Sequence, residues 1–287
     1  MHVVHTINEV RAAVAAARKA GKTIGFVPTM GALHAGHGSL VQKARSECGY
    51  VVVSIFVNPT QFGPMEDFSK YPRTLEDDTT LCAAMGADCI FAPAVEEMYP
   101  EKNLSWVDVE KLSEGLCGAS RPGHFRGVTT VCTKLFHIVL PDIAYFGQKD
   151  AQQAAVLCRM VADLNFPMQI KVCPIIREAD GLAMSSRNRY LSADDRRRAV
   201  CLYQALCLCK QQVEKGVVSV SELAGQMDKV LTAAGGTPDY ISIVDAKSLK
   251  SLQVIDRDAL VAVACRVGPA RLIDNMLIFL NPIRFQL

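Results

Sequence analysis

Apolar runs and amphipathic segments alternate through the first 176 residues of the chain. One run, residues 50–57, is almost continuously β-branched, which is typical of a strand buried on both faces. A capping box of Thr6 and Glu9 marks the first helix. The pattern predicts strands near residues 23–27, 50–57, 89–92, 143–146 and 168–176. Since strands that alternate with helices form parallel sheets, we expect a Rossmann-like, doubly wound α/β domain over residues 1–176, with ligands at the carboxyl ends of its strands.

The pattern changes after residue 176. Ser192 predicts the start of one long helix over residues 192–215, and Ser219 predicts the start of another that ends near residue 235. Three strand-like segments follow without alternating helices, near residues 240–244, 260–267 and 272–279. We therefore expect a smaller α+β domain over residues 177–287 that acts as a lid over the first domain.

Composition narrows the classes of function. The 287 residues include 31 Lys and Arg against 29 Asp and Glu, a net charge of +2. This balance does not favour a nucleic-acid partner, so any anionic ligand has to be met locally. No apolar stretch reaches the ~18 residues of a membrane span, and the first 22 residues lack the apolar core of a signal peptide. We expect a cytoplasmic protein with no membrane partner.

The chain has 11 cysteines and no C-x-x-C pair. A zinc site needs clustered thiolates, and the close pair Cys207 and Cys209 lies on different faces of a predicted helix. We interpret the cysteines as small packing residues in a reducing compartment. A catalytic thiol is the alternative, although no motif singles one out.

A glycine-rich turn, residues 28–40, follows the first predicted strand. It matches only part of a P-loop, because His37 and Gly38 stand where Lys and Ser or Thr are needed. A turn that opens a helix offers free backbone N–H groups and the positive end of the helix dipole, so it suits the phosphates of a nucleotide. His34 and His37 are the candidate side chains, and capping of the helix is the alternative interpretation.

Polar side chains also follow other predicted strands. Asn58 and Gln61 come after residues 50–57, and their amides suit a small polar acid or alcohol, although Asn58 equally suits a turn. Lys149 and Asp150 come after residues 143–146. A lysine there suits phosphate, and an ordinary ion pair at a helix start is the alternative.

Two arginine-bearing loops complete the set of candidate clusters. One carries Arg121, His124 and Arg126, which either hold an anion or cover the surface. The other, residues 184–187 with the sequence Met-Ser-Ser-Arg, lies at the expected domain junction. It suits a lid over phosphates, with helix capping as the alternative. We expect these clusters to converge on one crevice at the strand ends.

His34 and His37 together resemble the HIGH motif of the nucleotidylyl transferase superfamily, and residues 184–187 resemble its KMSKS loop. More closely, the chain resembles the pantothenate synthetase family in five ordered motifs, residues 28–37, 57–64, 121–128, 146–150 and 177–188. The resemblance implies an amide-forming ligase that condenses pantoate with β-alanine and converts ATP to AMP and pyrophosphate through a pantoyl-adenylate. It also implies Mg²⁺ and a homodimer, and it leaves the Mg²⁺ ligands unidentified.

The resemblance also implies roles for individual residues. Catalysis is expected from His34, His37, Lys149 and Arg187, with His37 as the proton donor. Pantoate is expected on Asn58, Gln61 and Gln153. ATP is expected on Met30, Gly31, Ala32, Leu33, His34, Ala35, Gly36, His37, Gly147, Gln148, Lys149, Asp150, Ile176, Met184, Ser185, Ser186 and Arg187. The alternatives are another HIGH-motif adenylyl or cytidylyl transferase and a nucleotide-binding sensor without activity.

Overall fold

A computed structural model describes residues 1–64, 66 and 68–280. The chain forms two compact units. Of the described residues, those within 1–114, 118–148 and 153–176 form the first unit, and those within 115–117, 149–152 and 177–280 form the second unit. Among the described helices, none is both long and apolar enough to cross a membrane.

A six-stranded parallel sheet forms the centre of the first unit. Its strands are β1 (His2–Val4), β2 (Ile24–Thr29), β3 (Tyr50–Ile55), β4 (Cys89–Phe91), β5 (Ile143–Gly147) and β6 (Gln169–Cys173). They lie in the order β1-β4-β3-β2-β5-β6, so the direction of winding reverses between β2 and β5. The predicted doubly wound α/β fold is therefore confirmed. Ligands of such sheets bind outside the carboxyl ends of the strands at this reversal, which here means beyond Thr29 and Gly147.

Helices cover both faces of the sheet. In chain order come α1 (Ile7–Lys19), α2 (Ala35–Glu47), α3 (Leu75–Met85), α4 (Val95–Met98), α5 (Cys117–Ser120), α6 (His124–Val139) and α7 (Ala151–Asp163). Side chains of α1, α6 and α7 pack in one core with Phe26 and Phe91, whereas α2 and α3 pack in another with Val27 and Ile90. This two-sided cover leaves the strand ends as the part of the sheet that can meet a ligand.

Strand β3 confirms the interpretation of the β-branched run. Val51 and Val53 are fully buried in one core, and Val52 is fully buried in the other. The capping box of α1 is also present, with the Glu9 amide donating to Thr6 Oγ1 at 3.3 Å. Strand β1, however, is not among the strands that the sequence predicts. Three residues are too few to show a strand period, and only the pairing with β4 reveals the strand.

The second unit is built on a three-stranded antiparallel sheet. Its strands are β7 (Thr237–Asp245), β8 (Ala259–Val267) and β9 (Ala270–Ile278), and its helices are α8 (Ala193–Arg198), α9 (Cys201–Glu214) and α10 (Val220–Ala233). Leu202 and Leu206 of α9 and Leu223 and Met227 of α10 pack in one core with the sheet. The predicted smaller α+β domain is therefore confirmed as a fold.

The prediction of one long helix over residues 192–215 is wrong. Helix α8 stops at Arg198, and α9 starts at Cys201. Between them the Leu202 amide donates to Ala199 O, three residues back, instead of the usual four. The apolar spacing continues through this step because the backbone at Val200 stays nearly helical, with φ −60° and ψ −19°. Periodicity alone therefore does not reveal the break.

All 11 cysteines are free thiols, and eight of them are buried. Burial raises the pKa of Cys132 to about 12 and that of Cys209 to about 11. Buried thiols of this kind are protonated and unreactive, which agrees with the interpretation of the eight buried cysteines as packing residues.

Candidate active site

The turn after β2 is held by a carboxylate from α3. Gly31 and Ala32 both take left-handed backbone conformations, with φ +81° and +50°. This turns the amides of Ala32 and Leu33 toward Asp78, which accepts both at 3.0 and 2.7 Å. Asp78 is itself only 2% exposed. The phosphate-binding turn predicted from the sequence is thus shaped by an acid that the sequence analysis did not identify.

The two predicted histidines lie together at the start of α2. His34 is the N-cap residue, and its Nδ1 accepts the Gly36 amide at 3.1 Å. The His34 and His37 rings lie 4.2 Å apart between centroids. Because Nδ1 accepts a hydrogen bond, a neutral His34 carries its proton on Nε2. Capping, the alternative interpretation, therefore applies to His34, and it fixes the tautomer that donates from Nε2.

Asn58 forms the centre of a buried amide cluster. It caps the 3₁₀ turn Pro59–Gln61 and is 1% exposed. Its Oδ1 accepts from the hydroxyls of Tyr99 and Thr60, both at 3.0 Å. Its Nδ2 donates to Gln61 Oε1 at 3.1 Å and to Gly127 O at 3.2 Å. An amide side chain has two N–H donors and one oxygen that can accept two hydrogen bonds. The protein itself therefore satisfies the hydrogen-bonding groups of Asn58.

Gln61 connects this cluster to the turn after β2. Its Nε2 lies 3.0 Å from Met30 Sδ, so two residues predicted on different strand ends are in contact. Helix α6 approaches the 3₁₀ turn Pro59–Gln61 closely. A Cβ on Gly127 would lie 2.3 Å from Thr60 O, so only glycine fits there. The amide cluster therefore depends on a glycine whose role is steric.

Arg121 and His124 join the same cluster, and Arg126 does not. Arg121 donates twice to Glu66, with both distances 2.6 Å. Its Nη1 lies 3.0 Å from His124 Nε2, and His124 Nδ1 lies 2.8 Å from Gln61 O. Arg126 instead covers the Trp106 ring at 4.6 Å. Arg121 and His124 thus support the backbone of Gln61, while Arg126 covers the surface.

An acidic partner explains the geometry of Arg121. Burial pushes the pKa of Glu66 upward, but the hydrogen bonds and charge of Arg121 outweigh burial and hold the pKa below its usual value. Glu66 is therefore ionised at neutral pH, and the pair is an ion pair with two parallel hydrogen bonds.

The remaining predicted residues of the first unit follow β5 and β6. Gly147 ends β5, and a Cβ built on it would meet nothing within 4 Å, so a ligand can approach this backbone closely. Gln148 follows directly, Gln153 lies in the first turns of α7, and Ile176 lies beyond β6. Strands β5 and β6 pair in parallel, so their carboxyl ends lie at the same edge of the sheet.

The second unit holds the predicted Lys149 and Asp150 and residues 184–187. Lys149 Nζ lies 3.9 Å from Asp150 Oδ2. Ser185 caps the 3₁₀ turn Ser186–Tyr190, and its Oγ accepts the Arg187 amide at 3.3 Å. Both alternative interpretations, ion pair and helix cap, therefore describe real contacts. The hydroxyl of Ser186 and the guanidinium of Arg187 are the groups of this loop whose chemistry suits phosphate.

Comparison with known proteins decides between the candidate activities. The model of the Pantoate-beta-alanine ligase family matches residues 2–277, which include all five motifs. The chain belongs to this family. A pantothenate synthetase of Moorella thermoacetica is 55% identical to this chain over 98% of the chain and 100% of its own length. One of Thermotoga petrophila is 53% identical over 97% of the chain and 100% of its own length.

Solved structures of the pantoate–β-alanine ligase family share the whole fold. A pantothenate synthetase of Thermus thermophilus is similar with a TM-score of 0.91 and 47% identity, covering 96% of this chain and 99% of its own. A pantoate–β-alanine ligase of Francisella tularensis, solved with beta-gamma ATP and β-alanine, has a TM-score of 0.81 and 36% identity, covering 96% and 97%. Membership therefore favours the ligase over the nucleotidyl transferase and the inactive sensor.

Three of the residues that support the site, Asp78, Tyr99 and Gly127, are not identified from the sequence. Asp78 follows Glu76 and Asp77 in the first turn of α3, where acids are ordinary partners of the helix dipole. Tyr99 follows the short α4 in an unremarkable stretch, and Gly127 looks like one more loop glycine. Nothing local distinguishes them, because each acts through a partner at least 40 positions away in the chain.

Proposed function

We propose that this ligase condenses pantoate with β-alanine, using ATP and forming pantothenate, AMP and pyrophosphate. The observation that carries the proposal is the family match over residues 2–277, since it covers both units and every motif with candidate chemistry. The Francisella tularensis relative, whose structure contains beta-gamma ATP and β-alanine, supports ATP and β-alanine as substrates.

In this proposal the first unit binds pantoate through amide side chains. Gln61 and Gln153 contact the acid directly, and Asn58 orients Gln61 through the 3.1 Å bond between their amides. We assign Asn58 this orienting role and not a direct contact with pantoate. Its polar atoms are already satisfied by Tyr99, Thr60, Gln61 and Gly127. A buried amide that is fully bonded positions its neighbours well and has no bond left for a ligand.

We propose that ATP meets two sets of residues. In the first unit they are the turn from Met30 to His37, with His34 donating from Nε2, together with the backbone at Gly147, Gln148 and Ile176. In the second unit they are Lys149, Met184, Ser185, Ser186 and Arg187, with Asp150 toward the ribose. Donors aimed at the phosphates cost no reorganisation during the reaction.

A free carboxylate does not condense with an amine, because oxide or hydroxide would have to leave and both are poor leaving groups. ATP therefore first activates the acid. A pantoate carboxylate oxygen attacks the α-phosphorus of ATP, and the bond to pyrophosphate breaks. The amine of β-alanine then attacks the acyl carbon, the bond to AMP breaks, and the nitrogen loses a proton as the amide forms. Negative charge grows on the pyrophosphate oxygen in the first step, where His34, His37, Lys149 and Arg187 each contribute about 2–4 kcal/mol of stabilisation. His37 donates a proton to that oxygen in this scheme.

Mg²⁺ is the metal that the resemblance to the family implies, and in this proposal it would be a partner of the phosphates. Among the described residues, no group of three or more His, Cys, Asp or Glu could hold a metal ion. Mg²⁺ commonly keeps several waters and binds through substrate phosphates. We propose that the phosphates of ATP would hold the ion, which would neutralise charge on the polyphosphate. A homodimer and a cytoplasmic location complete the proposal, and both rest on the resemblance to the family.

Product analysis tests the proposed function. The purified protein is incubated with ATP, Mg²⁺, pantoate and β-alanine, and AMP, pyrophosphate and pantothenate are measured. We expect the three products in equal amounts. A nucleotidyl transferase would form no amide, and a sensor would bind ATP without forming AMP, so either outcome would contradict the proposal.

A further inference from the structure

Two neighbouring residues of β9 hold both segments of the second unit that carry proposed phosphate-binding groups. Asp274 contacts the start of the segment that leads to Ser185, Ser186 and Arg187. Asn275 contacts the segment that carries Lys149. Both side chains are buried, with 2% and 3% exposed, in the middle of a strand that is otherwise mostly apolar.

Asp274 fixes Arg177 by an ion pair with two hydrogen bonds. Arg177 Nη1 donates to Asp274 Oδ2 at 2.6 Å, and Nη2 donates to Oδ1 at 3.0 Å. The guanidinium also lies 4.2 Å from the centre of the Tyr203 ring. A planar guanidinium bound on one edge and covered on one face has a single orientation.

Arg177 in turn determines the course of the loop. Its Nη1 donates to Gly181 O at 3.0 Å, and its backbone pairs with Ala183 in an isolated antiparallel bridge. Ala183 O accepts from Asn188 Nδ2 at 3.1 Å on the far side of Ser185 and Arg187. The loop is therefore closed at both ends, and one of those ends rests on Asp274.

Asn275 holds the other segment through its backbone. Its Nδ2 donates to Lys149 O at 2.9 Å, and its own amide donates to Asp274 Oδ1 at 2.7 Å. Neighbouring side chains on a strand point to opposite faces, so one strand reaches both segments. The Lys149 backbone and the Arg177 guanidinium are thus joined through two consecutive residues.

Stability does not explain a carboxylate at this place. Burial raises the pKa of Asp274 above its ordinary value even though Arg177 acts in the opposite direction. Replacing a buried ion pair by apolar side chains is often neutral or stabilising, so such a pair is better explained by the geometry that it imposes.

We infer that Asp274 and Asn275 are positioning residues that hold Lys149 and the Ser185–Arg187 segment in register for the polyphosphate of ATP. The inference rests on the proposed function, because that proposal places ATP on these segments. Neither residue touches the nucleotide in this scheme. Their effect is on the affinity for ATP and on adenylation, and the binding of pantoate in the first unit is independent of them.

The test compares ATP affinity in five variants by calorimetric titration, together with the KM values for ATP and pantoate. Asp274→Asn and Asn275→Leu are expected to weaken ATP binding at least about tenfold, because misplacement by 1 Å costs on the order of 100-fold in a preorganised site. The KM for pantoate is expected to change less than about twofold. Asp239→Asn is the matched control, since Asp239 pairs with Arg271 at 2.6 Å in the same sheet. It is expected to leave both KM values unchanged.

A double variant separates positioning from stability. Arg177→Met combined with Asp274→Leu replaces the ion pair by apolar side chains, so the unfolding temperature is expected to return toward the wild-type value. ATP affinity is expected to stay as weak as in Asp274→Asn. Recovery of ATP affinity together with stability would show a merely structural role and overturn the inference.

Lys149→Ala distinguishes this inference from the proposed function. If Lys149→Ala weakens ATP binding and adenylation while Asp274→Asn and Asn275→Leu leave both unchanged, the inference alone is wrong. If the wild-type protein forms no pantothenate, or Lys149→Ala binds ATP normally, the proposed function or its site fails, and the inference falls with it.

Discussion

Replacement of Asp78 by Asn tests how the turn after β2 is built. The carboxylate accepts the Ala32 amide at 3.0 Å and the Leu33 amide at 2.7 Å, and Thr74 Oγ1 donates to it at 3.2 Å. An Asn side chain has the same shape but only one oxygen. Its NH₂ group must therefore face one of the two backbone N–H donors, and that donor is left buried without a partner.

The magnitude follows from the bonds that change. A hydrogen bond to a charged group contributes about 1.5–3 kcal/mol, and an unsatisfied buried donor costs about 1–3 kcal/mol. Since these two figures partly describe the same loss, we expect Asp78→Asn to lower the free energy of unfolding by about 2–4 kcal/mol. The turn at Gly31 and Ala32 loses the anion that holds its left-handed conformation, so the KM for ATP is expected to rise about tenfold or more.

Urea denaturation and steady-state kinetics measure the two effects. Glu76→Gln, an exposed acid in the same helical turn, is the control and is expected to change stability by less than about 0.5 kcal/mol. The reasoning would be refuted if Asp78→Asn were as stable as the control and bound ATP equally well. A loss of stability with an unchanged KM for ATP would separate the turn from the nucleotide site.

Three further predictions use other parts of the first and second units. His37→Ala and Lys149→Ala are expected to abolish pantoate-dependent ATP–pyrophosphate exchange while circular dichroism shows an intact fold, and normal exchange would contradict their roles. Gly127→Ala is expected to raise the KM for pantoate, because its Cβ would lie 2.3 Å from Thr60 O, and an unchanged KM argues against the amide cluster. Hydrogen bonds from two lysines lower the pKa of Glu47 from 4.5 to about 2, so its contribution to stability is complete above pH 4.5 and is lost as the pH falls toward 2. Glu47→Gln is expected to flatten the dependence of urea denaturation on pH in that range, and an unchanged dependence would refute the assignment.

The elements that the sequence predicts are those with a local signal. The capping box of Thr6 and Glu9 depends on two residues three positions apart, and the run of β3 shows its burial in its own composition. Helix α10 likewise begins at the predicted cap, Ser219. In each case the interaction that fixes the element lies within a few residues, so a pattern along the chain is enough.

The elements that escape prediction depend on distant partners. Asp78 reaches a turn 45 residues earlier in the chain, and Asp274 reaches Arg177 across 97 residues. Strand β1 is defined only by its pairing with β4, and the break between α8 and α9 is a change of one hydrogen bond within a continuous apolar pattern. Sequence motifs therefore identify the candidate catalytic and binding side chains, whereas the contacts that support them can be identified only from the folded structure.

The histidine pair shows that two interpretations of one motif need not compete. His34 caps α2 through Nδ1, and this same bond places the proton of the neutral ring on Nε2. The sequence presents capping and phosphate binding as alternatives. In the structure, capping uses Nδ1 of His34 as the acceptor, so the neutral ring carries its proton on Nε2 and can donate from that nitrogen.

The central claim, that the acid is activated as an adenylate, is tested most directly by isotope transfer. Pantoate labelled with ¹⁸O in both carboxylate oxygens is incubated with the protein, ATP, Mg²⁺ and β-alanine. The ¹⁸O content of AMP and pantothenate is then measured by mass spectrometry. Attack on the α-phosphorus followed by cleavage of the acyl carbon–oxygen bond predicts one ¹⁸O in AMP and one in the amide carbonyl of pantothenate. AMP without label, or label in inorganic phosphate, would contradict the account.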